Sequence, residues 1–176
     1  LALLLCCFAL PALAAAPKIF LDLKADNQVV VERDGKEKRV PPEGFGAQPI
    51  NNSKLLYTAF GEEDAKEYGL TAGIYIFDES GKLTASAPSE AAEMSAEAVL
   101  SPGGTVLAMD AGGSLNRDWF FFSFPSMKPI GQSSVGYFMA EGKPTLLWNG
   151  ETDVLFNTMD TESKRECEYD PCGPVS

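Results

Sequence analysis

The groups able to do chemistry in this chain are oxygens and thiols, because its 176 residues include no histidine. Without imidazole there is no Ser-His-Asp or Cys-His nucleophile, no His-ligated zinc and no neutral-pH histidine switch. Carboxylates dominate instead, with 25 Asp and Glu against 14 Lys and Arg and a formal net charge of −11. That balance argues against nucleic acid, whose binding rests on cationic contacts to phosphate. Carboxylate pairs can cleave glycosidic bonds, and carboxylate clusters can hold divalent cations. With so many acids some pairs are inevitable, and no local pattern marks one pair as special.

The most suggestive candidate is the Gly-containing stretch from Asp110 to Asp118, flanked by acids and lying between two apolar runs. Its polar residues Asp110, Ser114, Asn116, Arg117 and Asp118 are the expected ligand-face loop. Glu62-Glu63-Asp64 reads as a solvated loop, because calcium loops space their oxygens on alternate residues around a turn glycine. Asn51-Asn52-Ser53 matches the N-x-S glycosylation pattern, but a turn accounts for it equally well. Glu32 to Arg39 alternates in sign and reads as an exposed charged hairpin. The run Trp119 to Phe124 and the isolated Trp148 read as packing residues ahead of ligand anchors.

The first 17 residues carry no charge, and Leu1 to Ala16 form an apolar stretch ending in small residues. Ala12-Leu13-Ala14 fits the A-x-A cleavage rule of a secretory signal. Pro11 and a run below the roughly 20 apolar residues of a membrane span weigh against an anchor. Cleavage after Ala14 would remove residues 1–14 and leave 15–176 as one domain of 176 − 14 = 162 residues. Cys6 and Cys7 would leave with the leader. Cys167 and Cys172 flank Asp170-Pro171, a turn-favouring pair, and read as a structural disulfide in an oxidising compartment. Closing so short a loop contributes roughly 2 kcal/mol. A redox site would ordinarily use C-x-x-C, and zinc would need four ligands.

Holding such groups in place requires a scaffold, and the chain is rich in strand chemistry. Gln28 to Glu32, Lys54 to Phe60, Gly73 to Phe77, Thr105 to Met109, Asp118 to Phe124 and Asp153 to Thr158 are β-branched and aromatic runs bounded by turn residues. Two stretches look helical, Glu62 to Tyr68 and Ser89 to Ala98, both expected as exposed excursions between strands. Self-comparison gives two series. Ile50, Leu100 and Trp148 each precede a polar turn and an apolar strand, at spacings of 50 and 48. Runs beginning at Val29, Ile74 and Phe120 fall between them, spaced 45 and 46. The first two of these runs carry Asp34-Gly35 and Ser80-Gly81, suited to the positive φ of hairpin turns. The expected architecture is therefore all-β, with four-stranded antiparallel blades repeating about every 48 residues. One such blade spans Ala96 to Leu100, Thr105 to Asp110, Asp118 to Phe124 and about Lys128 to Ser133. Stacked blades bury both faces, so Trp119-Phe120-Phe121-Phe122 need not alternate with polar residues.

The element Ser101-Pro102-Gly103-Gly104-Thr105-Val106-Leu107-Ala108 resembles the S-P-D-G-K-x-L-A turn of TolB-type and WD-like β-propeller repeats. The resemblance runs over about Asn27 to Asp160 and departs at Gly103, where the family carries Asp. It implies a Pro-Gly turn joining an inner to a middle strand, and a partial or incomplete β-propeller. At about 48 residues per repeat, 162 residues hold roughly 3.4 repeats, fewer than the four to eight blades of a closed propeller. A segment of a larger propeller is the favoured explanation, ahead of closure by oligomerisation and of repeats that pack as a smaller sheet assembly. The resulting expectation is a secreted or periplasmic, non-catalytic binding or interaction protein with a protein or small-molecule ligand. It calls for no cofactor, no resident metal, no nucleic acid and no membrane span after leader removal. The alternatives are an extracytoplasmic carboxylate-dependent hydrolase or lyase, and a structural subunit of an envelope assembly.

Overall fold

A computed structural model of the chain describes residues 16–88, 97–110, 116–136, 146–151 and 153–156. Sheet I contains β1 (Lys18–Asp22), β2 (Gln28–Arg33) and β3 (Lys36–Arg39). Sheet II contains β4 (Gln48–Pro49), β5 (Leu56–Phe60), β6 (Gly73–Phe77) and β7 (Leu83–Ala87). Sheet III contains β8 (Glu97–Leu100), β9 (Val106–Asp110), β10 (Asn116–Ser123) and β11 (Lys128–Gly136). Sheet IV contains β12 (Leu146–Asn149) and β13 (Asp153–Phe156). Within each sheet sequential strands are antiparallel neighbours. The all-β expectation therefore holds for the described residues, with two complete four-stranded antiparallel sheets.

The sheets stack face against face. All five residues of β6 are buried. Its alternating side chains serve two clusters: Ile74 and Ile76 pack toward sheet III, Tyr75 and Phe77 toward sheet I. Sheet III divides likewise. Ala98, Leu100, Leu107, Met109 and Phe122 meet sheet II, while Val99, Ala108 and Trp119 meet Leu146 of sheet IV. That double cover is why Trp119 to Phe122 stays apolar without a break. Removing each large apolar side chain from water contributes about 1.5–3 kcal/mol.

Turn chemistry places the strands. Asp34 and Gly35 adopt φ of 51° and 73° between β2 and β3, and Gly81 adopts 78° between β6 and β7. In the turn from β8 to β9 the positive φ, 72°, falls on Gly104. The Gly104 N–H closes back on the Ser101 carbonyl at 2.9 Å, so Pro102 and Gly103 hold the second and third positions of the turn, as expected. Ile50 follows β4, Leu100 ends β8 and Trp148 lies in β12, each ahead of a turn into the next strand.

The helix at Glu62–Tyr68 (α2) forms as expected, but it is no mere exposed excursion: Ala65 and Tyr68 are buried. Glu62, Glu63 and Asp64 occupy its first turn, where a helix N-terminus favours negative charge, so they are helical instead of a solvated loop. The second expected helix fails where it is described. Glu97 and Ala98 open β8, and residues 89–96 lie outside the described residues. Pairing with Asp110 and Met109 overrides the helical preference of Glu and Ala. A four-residue helix, α1 (Pro42–Phe45), precedes β4. Among the described residues no helix is long and apolar enough to cross a membrane.

Candidate functional site

The acid-flanked stretch from Asp110 to Asp118 lies at one end of sheet III. Only its middle connects strands: Asp110 closes β9, and Asn116, Arg117 and Asp118 open β10, so four of the five ligand-face residues are strand residues. Ser114 lies outside the described residues, as do Cys167 and Cys172. Asp110 is fully buried, in register with Glu97 on one side and Trp119 on the other. Asp118 is half-buried and accepts a hydrogen bond from Ser134 Oγ across the β10–β11 ladder.

Strand alternation then separates the two acids. Asp110 shares the face of its ladder partner Trp119, which packs toward sheet IV. Asp118 precedes Trp119 and so points to the opposite face, with Phe120 and Phe122. The sequence neighbours are thereby placed on two sides of one sheet, and this pair cannot flank a single bond. The structure unites different residues. Along the Asp118 face runs an open groove of about 410 Å³, lined by Pro88, Phe120 to Phe122, and Pro129 to Gln132. It lies where Pro88 follows the end of β7 and the edge strand β11 of sheet III begins.

A β-bulge shapes this groove. Phe121 pairs with Gly131 but Phe122 pairs with Pro129, which leaves Ile130 as the extra residue. Ile130 is consequently pushed outward and is 56% exposed. Proline inside a strand belongs at an edge or a bulge, so Pro129 is the one sequence signal for this feature. Nothing local points to Pro88, Gln132 or Ser134. Their roles come from register. Phe120 opposes Gln132, and Asp118 opposes Ser134 one pleat further along. The arrangement offers an apolar wall, one amide side chain and a carboxylate–hydroxyl pair, which suits binding an apolar surface with few polar contacts. The aromatic run expected to be core is so in Trp119 and Phe122, both buried, while Phe120 and Phe121 remain half-buried.

The charged hairpin and the Asn51-Asn52-Ser53 turn take structural roles. Glu32, Lys38 and Arg39 carry ion pairs: Lys18–Glu32 at 3.2 Å, Lys38–Glu67 at 2.7 Å and Arg39–Asp22 at 2.8 Å. Asn51 bridges the inner edges of sheets II and III, its N–H donating to the Ala98 carbonyl at 2.8 Å and its carbonyl accepting from Leu100 at 3.0 Å. Its amide also donates to Glu97 Oε1 at 3.3 Å.

Comparison with known proteins places the chain in no family: no family model matches it. No curated protein matches it either. Among solved structures it is similar to the β-propeller domain of the Trilobed protease from Pyrococcus furiosus, described as having an open velcro topology. Identity is 12% and the TM-score 0.40, over 83% of this chain and 50% of that one. The chain thus spans about half the length of that structure.

Proposed function

We propose that this chain is an extracytoplasmic, propeller-like binding or interaction protein that works without catalysis. The observation that supports this most directly is the junction between sheets II and III. Successive four-stranded meanders lie face to face, and their inner edges are tied in parallel at Asn51 and Val99. Parallel inner strands with antiparallel meanders running outward are the geometry of neighbouring propeller blades. In this reading the blade repeats about every 48 residues, and the Ser101 to Ala108 turn is the TolB-type or WD-like element. The groove along Phe120, Ile130 and Gln132 supplies the binding surface, and Asp118 with Ser134 supplies its polar end. The extracytoplasmic address rests on the apolar leader and the Ala12-Leu13-Ala14 cleavage pattern. The disulfide between Cys167 and Cys172 belongs to the same reading.

Two measurements test it. Amino-terminal sequencing of the protein recovered from cell fractions should begin at Ala15 in the extracytoplasmic fraction; an intact leader on cytoplasmic protein overturns the address. A photo-cross-linking residue at position 130 should capture a ligand or partner that the same residue at exposed Lys36 does not. Equal labelling at both positions, or none at 130, overturns the groove as the binding surface.

A further inference from the structure

Among the described residues sheet IV is a two-stranded hairpin, and such a hairpin by itself is only marginally stable in water. It is held by one face. Leu146, Trp148 and Val154 pack with Val99, Ala108, Trp119 and Phe121, the Phe121 and Trp148 rings meeting edge-on at 6.4 Å. Its other face leaves Leu147 and Leu155 exposed, at 59% and 57%. Sheets II and III, by contrast, share backbone hydrogen bonds through Asn51. Between β12 and β13, Glu151 accepts two hydrogen bonds from the turn between β8 and β9.

Those two bonds are made inside a turn built to receive them. Ser101 is 1% exposed, and its Oγ accepts from the N–H groups of Thr105 at 3.2 Å and Val106 at 3.0 Å. The Ser101 hydroxyl then donates to Glu151 Oε2 at 3.1 Å, and Thr105 Oγ1 donates to the same oxygen at 3.2 Å. Gly103 leaves room for the other oxygen, since a Cβ there would lie 2.5 Å from Glu151 Oε1. One carboxylate from the hairpin thus fills a notch in the turn between β8 and β9. The departure from the resembled repeat, Gly103 in place of Asp, falls at this notch; an aspartate there would collide with Glu151 and repel it.

We propose that Glu151 is a clasp and that β12–β13 is a strap that opens as a unit. Releasing the clasp lets the hairpin leave sheet III and bares the Val99, Ala108, Trp119 and Phe121 face, while sheets I to III stay folded. Regions held by few apolar contacts open locally at lower free energy than the core. Amide exchange of the full chain, read strand by strand, tests this. In the unaltered protein β12 and β13 exchange faster than β6 and β9. Glu151→Ala and Gly103→Ala each speed β12–β13 exchange by about tenfold, the scale of losing a hydrogen bond to a charged group. Glu151→Gln keeps an acceptor oxygen and falls between. Equal protection of all four strands in the unaltered protein overturns the proposal. So does unchanged β12–β13 exchange in both variants, or acceleration spread equally to β6 and β9.

Discussion

The two faces of sheet II are built on the same strand yet joined to their neighbours by different means. Toward sheet III, Ile74 and Ile76 join Leu107, Met109, Tyr57 and Phe122 in one cluster, and the facing edges of the two sheets share backbone hydrogen bonds at Asn51. Toward sheet I, Tyr75 and Phe77 join Phe60, Tyr68 and Phe45 over the aliphatic Leu21, Val29 and Val31, in a cluster that includes residues from α1, α2 and the segment beside them. Phe60 stacks on Phe45 at 5.4 Å and meets Tyr75 edge-on at 5.8 Å. The edge contact also differs, because β1 bridges antiparallel to the β6–β7 turn, with Leu21 N–H donating to the Gly81 carbonyl at 2.9 Å. One face therefore packs as one four-stranded sheet against another. The other recruits its connecting segments, and polar contacts rim it: Arg33 donates to the Gly69 carbonyl at 2.9 Å, and the Lys38 ammonium lies 4.3 Å over the Tyr68 ring. A strand with both faces buried thus need not mean two equivalent neighbours.

Core truncations separate the faces most strongly. Phe77→Ala should cost about 3–5 kcal/mol in a urea titration and expose sheet I amides first; equal exposure of sheets I and III would mean the faces do not act separately. Ile76→Ala should cost about 2–5 kcal/mol and loosen sheet III in preference to sheet I. Gly81→Ala comes next. The residue holds φ of 78°, and a Cβ would lie 2.5 Å from the Leu21 carbonyl oxygen. A loss of about 1–3 kcal/mol is expected, with Phe20 and Leu21 amides deprotected and the Asn51 bridge intact.

Acid should bring the smallest effect, again on the sheet I side. The Arg39 hydrogen bond, helped by the Lys24 N–H, holds the Asp22 carboxyl below its usual range. A carboxyl depressed in the folded state stabilises the fold above the ordinary carboxylate range, and that contribution disappears as pH falls through the depressed value. Sheet I amides should therefore lose slight protection on acidification, and Asp22→Asn should abolish the dependence. Because Asp22 is at the surface, added salt should weaken the effect further. If Asn51-bridge amides respond as much as those of sheet I, the contrast between the faces has no electrostatic part.

Much of this framework is legible in local sequence. β6 is read at its observed bounds from Gly73 to Phe77, and α2 from Glu62 to Tyr68, because apolar runs bounded by turn residues and a glycine C-cap are local signals. Short or irregular pieces are not legible. β4 is two residues long and contains Pro49, so it exists only by pairing with β5. β8 begins within a Glu/Ala-rich stretch that favours helix, and its partner β9 decides the outcome. The candidate site shows the same division. Asp110 and Asp118 look like one acidic loop in sequence, but the pleat sends them to opposite faces, and Asp110 is buried whereas Asp118 reaches Ser134. The groove joins Pro88 to Ile130, some forty residues apart, through stacking and a bulge that no local pattern specifies.

The sequence by itself determined the strand-rich class, the hairpin glycines, the double-faced apolar runs and the lack of imidazole chemistry. Each is a property of residue type and short-range backbone preference. Tertiary structure decided which face each side chain took, which sheet covered it, and where a carboxylate such as Glu151 found its partners. Those outcomes depend on register and sheet-to-sheet packing, and register turns on a single residue: one bulge at Ile130 or one pleat at Asp118 sends a side chain to the other side of the sheet.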